Sequence, residues 1–344
     1  MAENKSTVGT PWSRREFAAR SSLALAGLAL SGREEPSQSA SPVALAKNSD
    51  KSAALKQALE LMEDLDFAQK GIYLKPDFNS PHGFPASTDP DMLRDVVTQL
   101  RERNCGKITV AERSGMGITR EICEKIGIPD LAKRLDFSLL PLEELPAEQW
   151  RRALEEGSHW SKGVEVPDWL AAGAPVVQIC NLKTHRFGGH FSASLKNSIG
   201  LVAKHAGAGT RQNYMMELHS SPDQRVMIAE VNQLYRPLLA VMDASRVFVD
   251  GGPEAGDLAY PEVVAASRDR VALDAVGVAL LRLHGAGGPV SRGPVFEQTQ
   301  IKRAVELKLG SQSPKQIRVL TPDDESRNVA FQVMAVLEKE EEKK

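Results

Sequence analysis

Residues 175–200 read PVVQICNLKTHRFGGHFSASLKNSIG, and this stretch constrains the fold more than any other. The short apolar run 176–180 reads as a fully buried strand. Such a strand needs cover on both faces, the situation of a strand inside a parallel sheet. The run ends abruptly in Asn181, Lys183, Thr184 and His185. A Gly188-Gly189 turn follows, then a small-residue segment with Lys196, Asn197 and Ser198 at the start of a helix. In open parallel sheets, ligands sit beyond the carboxyl ends of strands. The stretch therefore predicts the floor of a site for an anionic small molecule.

The rest of the chain repeats the pattern. Residues 71–74 and 107–111 read as strands, each followed by a polar tip and a helix, which is the βαβ rhythm of a parallel sheet. Asp89 before Pro90 reads as an N-cap with proline at the first helical position. Asp269 similarly caps an apolar helix over 270–284. Further strands are expected at 135–140, 238–242, 247–249, 263–266 and, at an edge, 317–320. Further helices are expected at 53–66, 141–157 (on the surface), 224–235, 295–309 and 329–337. The predicted class is α/β: a mainly parallel sheet with helices on both faces, divided into two lobes near residues 158–175.

The first segment reads as an address rather than a fold. Ser13-Arg14-Arg15-Glu16-Phe17 precedes the short apolar run 21–30, the layout of a twin-arginine signal peptide. Ala44-Leu45-Ala46 offers an A-x-A cleavage site, and 31–50 reads as linker. The expected organisation is a signal and linker over 1–46, linker and amphipathic helix over 47–69, an α/β domain over 70–322, and a C-terminal helix and charged tail over 323–344. The expected location is the periplasm or cell envelope. The twin-arginine export machinery is then a partner, and the mature chain has no transmembrane segment.

Composition narrows the ligand. The 344 residues carry 43 Lys and Arg against 45 Asp and Glu, so no broad basic surface for nucleic acid is implied. The three cysteines, Cys105, Cys123 and Cys180, form no C-x-x-C pair, and a four-thiolate iron–sulfur cluster cannot be built from them.

Four strand tips carry chemistry: Lys75 with Asn79, Glu112 with Arg113, Lys183 with His185, and Asp243. Lys75, Lys183 and Lys196 are candidates to hold an anion, since an ammonium is a compact point charge suited to phosphate or carboxylate. Asn79, Asn197 and Ser198 are candidates to orient it. His185 and Lys183 are the catalytic candidates, with His185 moving a proton or, with His190, ligating a metal. The five-residue spacing of those histidines places no helix face against a metal, so a further ligand such as His205, His219 or Asp243 is needed. His82, His205 and His219 otherwise read as loop histidines. Asp274, on an apolar helical stripe, must be paired or hydrogen-bonded and reads as structural. Asp250, in Asp250-Gly251-Gly252-Pro253, shapes a rim turn. Ser114-Gly115-Met116-Gly117 reads as a tight turn, being neither G-x-G-x-x-G nor a Walker loop.

The segments LKPDFN (74–79), NLKTH (181–185), LKNSIG (195–200) and DRVALDAVG (269–277) resemble the domain-of-unknown-function family 362. The resemblance spans most of residues 70–285. It strengthens the site residues and brings no activity with it. Some relatives carry a ferredoxin-like cysteine segment, which this chain lacks. A slighter likeness, through His185, Gly188, Gly189 and Lys196, is to the nickel-pincer lactate racemases. The expected function is an exported enzyme acting on a small carboxylate or phosphate, with metal or cofactor open. The alternative is an envelope protein that binds or matures a ligand or cofactor without turnover.

Overall fold

Strand β7 (Val176–Thr184) is buried along all nine residues and lies at the centre of the molecule. In the computed structural model, the described residues are 40–63, 65–186, 190–205 and 212–339. The strands before it are β1 (Ser41–Lys47), β2 (Ile72–Lys75), β3 (Ile108–Glu112), β4 (Ser138–Pro141), β5 (Trp150–Ala153) and β6 (Val164–Pro167). Those after it are β8 (Phe191–Ser192), β9 (Leu239–Gly251), β10 (Gly256–Ala259), β11 (Val263–Ser267) and β12 (Ile317–Leu320). The main sheet runs β12-β1-β11-β9-β7-β2-β3-β4, with β10 paired to β9 and β8 to β7. The block β9-β7-β2-β3-β4 is parallel throughout. β11 runs antiparallel to both β9 and β1, so the sheet is mixed but mostly parallel.

The two faces are separately covered. Successive strand residues point to opposite sides. Accordingly Cys180, Leu182, Ala240, Met242 and Val43 join one core with the Arg270–Leu283 helix. Val177, Ile179, Leu239, Val241 and Ala44 join another with the Lys51–Glu60 and Pro90–Glu102 helices. Both expected caps form: the Asp89 carboxylate accepts from Asp91 N, and Asp269 from Val271 N and Ala272 N. Gly277 lets the long helix settle onto the sheet, because a Cβ there would fall against Leu182 and Met242.

Several expectations change. The linker expected over 31–50 ends before Ser41, because 41–47 is β1, whose centre is fully buried between β11 and β12. Cleavage after Ala46 would cut inside that strand. The twin-arginine segment itself lies outside the described residues. The two expected lobes are a single compact unit over the described residues from 40 onward. The chain leaves the main sheet over 150–167 to make the antiparallel β5–β6 pair, then returns through β7 to the same sheet. The surface helix expected over 141–157 is replaced by two 3-10 turns and β5, with Pro146 opening the second turn. The two strands expected at 238–249 are one, β9. Among the described residues no helix is long and apolar enough to cross a membrane.

Candidate functional site

A cavity of about 300 Å³ opens beyond the carboxyl ends of β2, β3 and β7. Each parallel strand delivers a charged side chain there: Lys75 and Glu112 end β2 and β3, and Lys183 lies next to the end of β7. Asp77, Asn79, Arg113, His185, Ser192, Lys196, Asn197, His219 and Gln224 share the wall. Four cations, Lys75, Arg113, Lys183 and Lys196, thus face two carboxylates, Asp77 and Glu112. A local positive excess follows although the whole chain is nearly neutral.

Most of these charges are already answered. An ammonium has three N–H donors. Lys75 Nζ donates to Glu112 Oε2 at 2.9 Å, Asn197 Oδ1 at 2.8 Å and Pro76 O at 2.5 Å. Lys183 Nζ donates to Asp77 Oδ2 and Pro85 O, both at 2.9 Å, and to Ala86 O at 2.5 Å. Neither has an N–H left for an incoming anion, which corrects the expectation that they grip it. Their work is to hold the loop after β2 and to set the potential. Burial works to raise the Asp77 carboxyl, but Lys183 and Lys75 outweigh it and hold it below the usual range. Glu112 goes the other way: burial raises it despite Lys75 and the Phe78 N–H. The Arg113 guanidinium donates to Val202 O and Ile199 O, and burial brings it down to about 10.

Lys196 differs. It is part-exposed and lines the cavity, and among the described residues its ammonium makes no hydrogen bond or ion pair. Burial, reinforced by Arg225, brings it down to about 7, with Asp77 opposing. Two neighbours in the wall are also unfinished. Ser192 Oγ and Gln224 Oε1 are buried without a hydrogen-bond partner, in side chains only 6 % and 4 % exposed. A buried polar atom left so is costly unless something else fills it. His219 hangs from the Tyr214–Ser220 helix, which turns Met215, Leu218 and His219 to the cavity at helical spacing. Its Nδ1 pairs with Met215 O at 2.6 Å, and burial lowers its pKa.

The segment bearing Lys196 is anchored from behind. Asp274, fully buried, accepts from Ser194 N at 2.8 Å, Ser194 Oγ at 2.5 Å and Leu195 N at 3.2 Å. Burial pushes its carboxyl up to about 6. Arg270 reaches Ser198 Oγ, Asn232 O and Tyr235 O instead of pairing with Asp274.

The remaining candidates divide. His185 is buried in the wall, its N–H donating to His190 O at 3.3 Å. Asn79 lines the cavity with its Oδ1 taken by Gly115 N, and Gly115 and Met116 line it too. Asn197 is used up by Lys75 and Ile179 O. Ser198 does not line the cavity: it faces the Gln178, Asn232 and Tyr235 network. Asp250 is exposed on its turn, bonded to its own Gly251 N, while Pro253 reaches the cavity. Asp243 bonds Ser245 away from the cavity. The His190 ring sits against Pro289 and Gln298 and does not line the cavity, although its backbone carbonyl neighbours His185. Among the described residues no three His, Cys, Asp or Glu could share a metal, so this pair lacks the third ligand it needs. Gly188 and Gly189 lie outside the described residues. Ser192 and Gln224 were not read as site residues from the sequence, and His219 was read only as a possible further metal ligand or a loop histidine. Ser192 and Gln224 carry no motif. His219 could have been found by reading 214–220 as an amphipathic helix.

No curated protein matches the sequence. Among solved structures, the chain is similar to the lactate racemase apoprotein from Thermoanaerobacterium thermosaccharolyticum. The TM-score is 0.43 at 16% identity, over 70% of this chain and 58% of that one, under two thirds of its length. The model of the family described as "Domain of unknown function (DUF362)" matches residues 72–279, more than half of the chain, and the protein therefore belongs to the DUF362 family.

Proposed function

We propose that the chain binds a small anion in this cavity, as an enzyme acting on it. The observation that carries the reading is the Lys196 ammonium, at the wall of a positive cavity and without a hydrogen-bond acceptor among the described residues. An amine that titrates near pH 7 can hold an anion as an ammonium and take a proton as an amine, the property asked of a general base at neutral pH. His185 and His219 are the wall's other proton carriers. A binding or maturation protein without turnover uses the same contacts and differs only in lacking a chemical step.

The test is calorimetric titration of the full chain with acetate and with inorganic phosphate between pH 6 and 10. A bound anion raises the lysine's pKa, so binding is coupled to proton uptake. Affinity is expected to be flat below about pH 7 and to fall about tenfold per unit above it. Affinity independent of pH across that range removes Lys196 from the site. Absence of any anion binding removes the proposal.

We also propose export by the twin-arginine route, on the strength of Ser13-Arg14-Arg15-Glu16-Phe17 and the apolar run after it. Cleavage falls upstream of Ser41, so that β1 is kept. Replacing Arg14 and Arg15 by lysine is expected to leave the protein in the cytoplasmic fraction. Undiminished export of that variant would exclude the route.

A further inference from the structure

The positive end of the cavity accounts for an anion but not for the rest of its wall. Met116, Ile199, Met215 and Leu218 also line it, and an inorganic anion has no use for them. Met215 and Leu218 lie one helical turn apart on the Tyr214–Ser220 helix. Met116 is 48% exposed, so the apolar lining reaches solvent. Thioether side chains adapt to irregular apolar shapes and suit a wall that must close on a flexible chain. The polar end supplies two donors that lack partners, the Lys196 ammonium and the buried Ser192 hydroxyl. One uncompensated cation balances the single charge of a carboxylate. A phosphate monoester, with about two charges, asks for more. The volume, about 300 Å³, is the share of roughly ten water molecules.

Resting on the reading above, we propose that the ligand is a short-chain carboxylic acid. Its carboxylate lies at Lys196 and Ser192, and its alkyl part lies against Met116, Ile199, Met215 and Leu218. The ligand is thus amphipathic: one end answers the uncompensated cation, and the other displaces water from the apolar wall.

The experiment is titration of the full chain at pH 6.5 with acetate, butanoate, hexanoate and inorganic phosphate. Affinity is expected to rise about fourfold per methylene from acetate to hexanoate, the ratio for burying a CH2 group. Hexanoate is expected to bind more tightly than phosphate. A flat series, in which acetate binds as well as hexanoate, overturns the carboxylic-acid proposal and leaves the anion site standing. Tighter binding of phosphate does the same. Absence of binding by every probe overturns both. Two variants locate the ends. Lys196→Met is expected to lose hexanoate binding, and persistence would mean adventitious partition into an apolar groove. Met116→Gln, a change at a half-exposed side chain, is expected to reduce the gain per methylene. An unchanged gain overturns the assignment of the tail to this wall.

Discussion

Three lysines that look alike in the sequence have different roles, and the difference is the number of acceptors around each. Lys75 is paired with Glu112 where both side chains are 2% exposed. Removing one member of such a pair leaves a buried charge uncompensated, at about 3–5 kcal/mol. Lys75→Met and Glu112→Gln are each expected to lose that much by urea denaturation, and the double variant less than their sum. Additive losses would mean the two groups do not interact. Gly200 belongs to the same arrangement, since a Cβ there would fall on Glu112 Oε1 and Lys75 Nζ. Gly200→Ala is expected to destabilise by about 1–3 kcal/mol, as overpacking does. Lys196 has the opposite sign. Its pKa falls from 10.5 unfolded to about 7 folded, so between those values folding expels a proton. Its stability cost is absent above pH 10.5, grows as pH falls towards 7, and is constant below. Lys196→Met should therefore stabilise the fold at pH 7, by on the order of 1–2 kcal/mol given that the cavity end is wetted, raise the melting temperature, and abolish anion binding. A difference in melting temperature between variant and parent that is the same at pH 7 and pH 10.5 would refute this. A residue whose removal stabilises the fold and empties the site is kept for the site.

Among the elements, β1 sets the latest point at which a folded chain can start. Ala44 and Leu45 are fully buried, and the strand hydrogen-bonds β11 on one side and β12 on the other. A chain begun at Ala40 is expected to unfold cooperatively with an unchanged midpoint, and one begun at Asn48 to be unfolded. A stable protein lacking 40–47 would contradict the placement. The stretch 31–50 reads as linker because it is rich in Ser, Pro, Ala and charge, yet small residues also fit where a helix packs closely on an inner strand. The Ser194–Asn197 turn is the other decisive element. It is four residues long and cannot stand by itself, so Asp274 holds its first N–H groups from the Arg270–Leu283 helix. Asp274→Ala leaves at least two buried donors unanswered, at about 2–4 kcal/mol. Denaturant midpoints should show that loss together with weaker anion binding, because Lys196 rides on the same turn. The charged stretch 141–157 did not become a helix. Pro146 interrupts it, and β6 offers β5 a pairing partner.

At the scale of the molecule, much of the architecture was legible in the chain. Short apolar runs, capped helices and βαβ spacing report burial and local geometry, and those set an α/β fold with helices on both faces. Asp89 and Asp269 cap where the sequence places them because capping is a contact between near neighbours. The single unit in place of two lobes was not legible, since pairing order is a long-range choice: β7 joins β2 and β9, with 100 residues between the end of β2 and the start of β7 and 54 between the end of β7 and the start of β9. The site divides along the same line. That lysines, histidines and amides gather beyond the ends of β2, β3 and β7 follows from the sequence, because parallel strands all present their carboxyl ends to one side. Which of the cations remains available was decided by the tertiary structure. The acceptors that occupy Lys183 come from 97–106 positions away, and those of Lys75 include one from 122 away. An ammonium's fate depends on oxygens within about 3 Å, and proximity of that kind between distant residues is written in no local pattern.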